Sequence, residues 1–242
     1  MKSSRQDASV SNENRWLARC AVAGLSWIGQ DCQLCGAKSG PELLCAACAA
    51  SLPVLPENCP RCGLPSPCGS VCGACLARPP YFDATLALWL YEFPCDRLVQ
   101  ALKYRARLAL APFFARTLAR QPLPAYDLLI PMPLHPDRLA QRGFNQAVEI
   151  ARMLAKQTGL ALLPRGARRV KDTTPQAELP YEERARNIRG AFACDVDLSG
   201  KRVAVLDDVM TTGATLNELA KVLKREGAAR VENLVIARSI LR

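Results

Sequence analysis

The sequence predicts an α/β domain, built on a mostly parallel sheet flanked by helices, preceded by a small cysteine-rich domain. Two observations support this. Nine of the twelve cysteines lie between Cys32 and Cys75. Beyond residue 80, short apolar strand signals alternate with amphipathic helix patterns, the order expected of parallel strands joined by crossover helices. A chain of 242 residues, half of them hydrophobic, can form one large domain or two modest ones.

The N-terminal segment, residues 1–30, is interpreted as a disordered tail followed by a short helix. Residues 1–14 are polar and include acidic side chains, unlike the basic start of a signal peptide. Residues 17–28 are apolar but too few to span a bilayer. Contact of Trp16 and Trp27 with a membrane surface is the alternative. We expect no stable membrane insertion and a cytoplasmic location.

Residues 31–80 are predicted to form a double zinc ribbon. Their cysteines form four C-x-x-C pairs, and the second two pairs repeat the first two at a displacement of 27 residues. Gly36 recurs as Gly63 at the same displacement. Two such knuckles complete a tetrahedral zinc site, and a segment this poor in large apolar residues needs metal to fold. The predicted ligands are Cys32, Cys35, Cys45, Cys48, Cys59, Cys62, Cys72 and Cys75.

Several alternatives remain open for this module at the sequence level. A disulfide scaffold would require an oxidising compartment. An interleaved arrangement would join the Cys32 and Cys35 knuckle to the Cys59 and Cys62 knuckle. One zinc ion or two could be bound. Cys68 is a ninth, unpaired cysteine, either a substitute ligand or a bystander.

Residues 81–242 are predicted to form the α/β domain, with Pro79-Pro80 at the boundary. The patterns predict strands over 83–91, 128–131, 203–206 and 231–237, a short strand over 191–193, and helices over 95–104 and 108–120. A further helix ends near residue 157, and one that begins near Leu216 is stopped by Gly227.

The centre of this domain is the run Val-Ala-Val-Leu-Asp-Asp-Val-Met-Thr-Thr-Gly-Ala-Thr over residues 203–215. A buried strand leads to Asp207 and Asp208, then to a loop of hydroxyl residues around Gly213 and a helix N-terminus. Backbone N–H groups at a helix start favour a phosphate, whereas carboxylates accept hydrogen bonds from ribose hydroxyls. The run therefore predicts a 5-phosphoribose site at the end of the strand.

These residues resemble those of the ComF family, whose members join a zinc module to a domain of the type I phosphoribosyltransferase fold. The resemblance covers residues 31–240. It rests on the paired cysteine knuckles, on the run at 203–215, on Arg-Gly-Phe-Asn-Gln at 142–146, and on the stretch from Thr174-Pro175-Gln176 to Arg184 and Asn187.

The resemblance implies a set of site residues. It gives catalytic roles to Asp207, Asp208 and Arg184, and makes 168–190 a flexible loop that closes over the site. A solvated surface loop is the alternative for that segment. The 5′-phosphate would be held by Thr211, Thr212, Gly213, Ala214 and Thr215. The segment after the strand over 128–131 would be a loop that holds the diphosphate through His135, Arg138 and Arg142. His135 could equally be a turn residue.

The resemblance also implies a function. The substrate would be phosphoribosyl pyrophosphate with Mg²⁺, and the protein would serve natural competence, DNA uptake or the use of DNA as a nutrient. The enzymatic interpretation is a phosphoribosyltransferase that releases diphosphate. The alternative is a non-catalytic single-stranded DNA-binding accessory whose ribose-phosphate site senses a ligand or holds a DNA end.

The net charge of +10 suits anionic partners, although it also serves solubility. Single-stranded DNA and the DNA-uptake machinery are therefore candidate partners. The predicted DNA contacts are Arg61, Arg78, Tyr81, Phe82, Lys103, Tyr104, Arg105 and Arg107.

Overall fold

A computed structural model describes residues 29–171 and 186–240. Its internal contacts divide the chain into two units, and the boundary along the sequence falls between Ser51 and Leu52. Almost all of the predicted tail and helix over 1–30 lies outside the described residues. Among the described helices, none combines the length and the apolar character that crossing a membrane requires.

The first unit contains the first cysteine repeat. Strands β1 (Gln30–Asp31) and β2 (Lys38–Gly40) form an antiparallel pair. A short helix α1 (Ala46–Ala50) begins immediately after Cys45. Its apolar core is small, with Leu43 and Leu44 buried. This repeat therefore has little besides its cysteines to stabilise it.

The second unit, which we call the sheet unit, begins with the second cysteine repeat. A 3₁₀ turn (Pro67–Gly69) precedes helix α2 (Gly73–Ala77), which begins directly after Cys72. The segment around this repeat runs along strand β3 (Ala84–Leu90): the Leu90 N–H donates to Pro53 O and the Thr85 N–H to Pro60 O, both at 2.9 Å. The second repeat thus covers an edge strand that would otherwise expose unpaired backbone groups.

Strand β3 is joined in the central sheet by β4 (Leu128–Pro131), β7 (Arg202–Met210) and β8 (Arg230–Arg238). The four strands are parallel and lie in the order β3-β8-β7-β4. Apart from Arg230, every residue of β8 is buried. A parallel strand with such continuous burial is covered on both faces.

The flanking helices supply that cover. They are α3 (Cys95–Arg105), α4 (Leu110–Ala119), α6 (Gln146–Thr158) and α7 (Ala214–Arg225), whereas α5 (Pro136–Arg142) has no buried residue. The core includes the stacked rings of Trp89 and Phe113, with centroids 6.0 Å apart, and the fully buried Phe114. Leu219 and Leu223, on the predicted face of α7, are also fully buried.

Three local predictions need correction. Strand β7 continues to Met210, beyond the predicted end at residue 206, so Asp207 and Asp208 lie within it. The segment interpreted as a loop around Arg138 contains helix α5. The start of the predicted mobile loop, Arg168–Arg169, forms strand β5, which pairs with β6 (Phe192–Ala193). Pairing with distant strands accounts for the first and third of these.

Candidate functional site

The cysteines form two clusters of four. One contains Cys32, Cys35, Cys45 and Cys48, and the other Cys59, Cys62, Cys72 and Cys75; within each, all sulfur atoms lie within 4.8 Å of one another. The Cys35 and Cys45 sulfurs are 3.8 Å apart, and those of Cys62 and Cys72 are 3.7 Å apart. A tetrahedral site with Zn–S bonds of about 2.3 Å places its sulfurs roughly 3.8 Å apart. Both clusters therefore fit zinc.

This arrangement decides which knuckles share a site and whether Cys68 is a ligand. Each cluster uses consecutive knuckles, so the interleaved arrangement is wrong. The cysteines within the described residues are free thiols, which argues against a disulfide scaffold. Cys68 is exposed and belongs to neither cluster. It lies in the 3₁₀ turn with φ of 54°, a left-handed conformation uncommon for a residue with a side chain.

Backbone geometry prepares two thiols for metal binding. Burial opposes the charged form of Cys32, but hydrogen bonds from backbone N–H groups outweigh it and lower the pKa of Cys32 to about 6. The same balance lowers the pKa of Cys59 to about 6, and the Cys72 N–H lies 3.3 Å from the Cys59 sulfur. Because the thiolate is the metal ligand, these turns favour the binding form near neutral pH.

The predicted phosphate loop lines a small pocket that is open to solvent at the carboxyl edge of the sheet. The pocket is lined by Asp207, Val209, Met210, Thr211, Gly213, Thr215 and Leu216. Gly213 is the N-cap of α7 and has φ of 80°. This positive φ favours glycine, and a β-carbon there would lie 2.6 Å from the Met210 methyl, which would have to shift. A helix N-terminus beside small hydroxyl residues is suited to binding an anion.

The two acidic residues have different surroundings. As neighbours in a strand, they point to opposite faces of the sheet. Asp207 lines the pocket and accepts a hydrogen bond from the Asp208 N–H at 2.8 Å. Asp208 is 4% exposed, accepts from Gln146 Nε2 at 2.8 Å, and lies 3.1 Å from Lys103 Nζ. Asp208 thus already has protein partners, whereas Asp207 is oriented to the pocket.

The pKa values follow from this arrangement. Burial, reinforced by the charge of Asp208, raises the pKa of Asp207 to about 7. For Lys103, burial would lower the pKa, but the charges of Asp208 and Asp207 outweigh it and raise the pKa above its ordinary value. At neutral pH the Lys103 side chain is therefore charged, and the Asp207 carboxyl group is close to its pKa.

The predicted diphosphate residues lie on and before α5. Arg142 donates to Gln146 Oε1 at 2.8 Å, which links it through Gln146 to Asp208. Arg138 lies four residues earlier on the same helix, and therefore on the same face. His135 is the N-cap, with Nδ1 accepting from the Asp137 N–H at 3.4 Å.

The predicted catalytic Arg184 lies outside the described residues. The segments that flank 172–185 are anchored. Arg169 lies over the Phe192 ring at 5.8 Å, and the Gly190 N–H donates to Glu218 of α7 at 2.8 Å. The described residues on either side of 172–185 thus contact structured elements.

The structure adds two residues that the sequence interpretation did not place at the site. Lys103 is 105 residues from Asp208, and nothing local indicates their pairing. Gln146 stands in the quoted Arg-Gly-Phe-Asn-Gln run, which was the available signal. Its neighbour Asn145 caps α6 and donates to Met132 O at 3.0 Å, fixing the start of that helix.

The predicted DNA contacts differ in exposure, and one of them, Lys103, is paired with Asp208. Phe82 is 3% exposed and lies near Gly213, so its prediction as a stacking residue is wrong. Tyr104 is 70% exposed, and the guanidinium of Arg142 lies 5.6 Å from its ring centroid. Arg105 and Arg107 are exposed beside it. The end of α3 therefore presents an aromatic ring within a basic surface.

Comparisons with known proteins agree with this architecture. Residues 28–76 match the family described as double zinc ribbon domain, and residues 139–240 match the phosphoribosyl transferase domain. DNA utilization protein YhgH of Salmonella typhi is 33% identical over 171 residues, covering 67% of this chain and 75% of that protein. Competence protein F of Haemophilus influenzae is 31% identical over 175 residues, covering 66% and 75%.

Among solved structures, a match is found to glutamine phosphoribosylpyrophosphate amidotransferase from B. subtilis complexed with ADP and GMP. It is 18% identical, covers 57% of this chain and 30% of that chain, and has a TM-score of 0.40.

Proposed function

Because the chain belongs to the family that includes DNA utilization protein YhgH and competence protein F, we propose that it binds phosphoribosyl pyrophosphate and acts in the handling of DNA. We also propose that it transfers the phosphoribosyl group, with release of diphosphate. The thiolates that hold zinc require a reducing compartment, for which we propose the cytoplasm.

One observation carries the ligand assignment: the pocket combines the carboxyl group of Asp207 with the hydroxyls of Thr211 and Thr215 at the start of α7. The loop offers donors to a 5′-phosphate, and Asp207 offers an acceptor to the ribose hydroxyls. Lys103 and Arg142, both linked to Asp208, add positive charge for the diphosphate.

These residues support the chemistry in separate ways. Loss of diphosphate leaves positive charge on the ribose, while cationic side chains stabilise the departing anion. Mg²⁺ would arrive with the diphosphate, since this ion is usually held by phosphates and one or two carboxylates. Asp208, through Lys103 and Gln146, would keep the cationic groups in place.

Calorimetry with phosphoribosyl pyrophosphate and Mg²⁺ tests the binding. We expect the wild type to bind, and Asp207→Asn to bind at least tenfold more weakly, because it loses the charged acceptor. Asp195→Asn, which changes an exposed carboxylate, is the matched control. Absence of binding by the wild type would reject the assignment. Release of labelled diphosphate with candidate acceptor bases then separates a transferase from a ligand sensor.

A second candidate function is binding of single-stranded DNA, which the exposed surface of Tyr104, Arg105 and Arg107 favours. An aromatic ring stacks on any base, and arginines neutralise the backbone, so such binding has little sequence preference. The same surface adjoins Arg142, so a strand bound there would lie near the ribose-phosphate pocket.

The salt dependence of binding tests this function. Arg105→Glu combined with Arg107→Glu should weaken binding of a labelled oligothymidine and reduce the slope of log affinity against log salt by about 1.4, two contacts' worth. Lys201→Glu with Arg225→Glu, exposed at the amino edge of the sheet, changes the net charge equally and should have a smaller effect. Equal effects of the two pairs would reject this surface as the contact.

A further inference from the structure

Arg238, the last residue of β8, is 2% exposed. A guanidinium carries a permanent charge, and it can be buried only if its donors are satisfied. Its hydrogen bonds run to backbone carbonyl groups on both sides. Nε donates to Cys62 O at 2.7 Å, and Nη1 donates to Met210 O at 3.0 Å.

On one side, Arg238 fixes the start of the phosphate loop. Besides Met210 O, Nη1 donates to Thr211 O and to Ser239 O. The C=O and N–H groups of a trans peptide point in opposite directions. Holding the Thr211 carbonyl therefore also directs the N–H of Thr212 away from Arg238. The guanidinium thus sets the orientation of the loop that lines the pocket.

On the other side, the same residue supports a zinc knuckle. Cys62, whose carbonyl accepts from Nε, is one of the four ligands of the second cluster. The stem of Arg238 passes Gly63, where a β-carbon would lie 3.5 Å from Cδ. The knuckle is closed by a Gly63 N–H that donates to Cys59 O at 2.8 Å. One side chain therefore contacts both a zinc-binding turn and the anion-binding loop.

We propose that Arg238 is a positioning residue that couples the second zinc site to the phosphate loop. Metal at Cys59, Cys62, Cys72 and Cys75 holds the Cys62 carbonyl in place for Nε, and Arg238 in turn holds the carbonyls of Met210 and Thr211. Loss of this zinc, and not of the zinc in the first ribbon, disorders the loop. The consequence for ligand affinity rests on the proposed function, but the coupling itself does not.

Hydrogen exchange of the amides over 211–215 tests the coupling directly. In wild-type protein, a chelator is added in steps, and alkylation of the released thiols with mass spectrometry assigns each lost zinc to its ribbon. We expect loop exchange to stay constant while the first ribbon loses zinc, and to rise at least tenfold when the second does. A constant rate throughout would overturn the proposal.

Two substitutions test the residue itself. Arg238→Lys keeps the charge but loses the fork of donors, and Arg238→Met keeps only the apolar stem. Both should accelerate loop exchange and zinc release from the second ribbon at least tenfold, with release from the first ribbon unchanged. Arg230→Lys, at the other end of β8, is the matched control and should leave both rates unchanged. Equal behaviour of the Arg238 and Arg230 variants would contradict the coupling.

Ligand affinity gives a separate readout. Arg238→Lys should bind phosphoribosyl pyrophosphate with Mg²⁺ at least tenfold more weakly than wild type. If wild type binds none, the proposed function fails, while exchange and zinc release still decide the coupling. If Arg238→Lys exchanges faster at the loop yet binds as tightly as wild type, the effect of Arg238 on the ligand is refuted.

Discussion

The two zinc ribbons share one local structure. In each, a glycine N–H donates to the carbonyl of the first cysteine, from Gly36 at 3.0 Å and from Gly63 at 2.8 Å. The antiparallel backbone pairing of Asp31 with Lys38 in the first ribbon recurs in the second as an antiparallel β-bridge between Asn58 and Pro65. Both partners are displaced by 27 residues. The repeated sequence therefore produces a repeated fold.

Their surroundings differ. Of the four cysteines in the first cluster only Cys32 is buried, whereas Cys59, Cys62 and Cys75 are all buried in the second cluster. A β-carbon at Gly36 would meet nothing within 4 Å, while one at Gly63 would contact Arg238. The second ribbon is thus part of the packing of the sheet unit. Duplication of the sequence therefore reproduces the metal site, but the contribution of each site to the stability of the fold depends on its contacts with distant residues.

Loss of a ligand should separate the two ribbons most strongly. Cys75→Ser opens the buried site and should destabilise the sheet unit by about 4 kcal/mol or more, as expected when a structural metal is lost. Cys48→Ser, the equivalent change in the first ribbon, should leave the thermal transition of the sheet unit in place. Calorimetric melts with zinc content measured in parallel test this. Equal losses of stability would show that the two ribbons contribute alike.

An ion pair from each unit can be compared in the same way. The pair in the sheet unit should contribute more to the free energy of unfolding than the pair in the first unit. Asp208→Asn leaves Lys103 without its charged partner in a largely buried site, and should lower the free energy of unfolding by about 2 kcal/mol. Asp31→Asn removes an exposed partner of Lys38, 2.7 Å away, and should cost less than about 1 kcal/mol. Melting reports the first effect, and the chelator concentration that removes zinc reports the second. A double-mutant cycle with Lys103→Met would show whether the cost belongs to the pair.

The pH dependence of stability should reflect Asp207, which belongs to the sheet unit. The raised pKa means that the folded state retains a proton that the unfolded chain releases near pH 4. Stability therefore falls as pH rises from about 4 to about 7, and it levels off at higher pH, where both states have released the proton. Between about pH 5 and pH 7 the melting temperature of wild type should therefore fall relative to that of Asp207→Asn. Parallel slopes would contradict the raised pKa.

The smallest difference is expected at the glycines. Both have a positive φ, 75° at Gly36 and 68° at Gly63. Alanine should cost about 1 kcal/mol at either position because its side chain disfavours the left-handed conformation. At Gly63 the new methyl group would make ordinary contact with Arg238, so we expect no additional clash. Zinc-release midpoints for Gly36→Ala and Gly63→Ala test this. A much larger cost at Gly63 would mean that Arg238 cannot adjust.

Sequence periodicity and spacing predicted most of the fold, because these signals are local. The C-x-x-C pairs, the strand over 128–131 and the apolar face of α7 each arise from residues close together in the chain. The end of β7 was predicted too early. The chain after Leu206 loses its apolar pattern, but pairing with β8 continues the strand to Met210.

The sequence alone predicts the four C-x-x-C knuckles, the strand–loop–helix around Gly213 and a common site for Asp207 and Thr211, whereas the grouping of consecutive knuckles into two clusters needed the structure. The pairing of Asp208 with Lys103, and the contacts of Arg238 with both Cys62 and the phosphate loop, are visible only in the tertiary structure. These partners are separated by 105 and 176 residues. Their proximity follows from the order of strands in the sheet, because parallel strands bring distant segments to one edge, and no local pattern encodes that order.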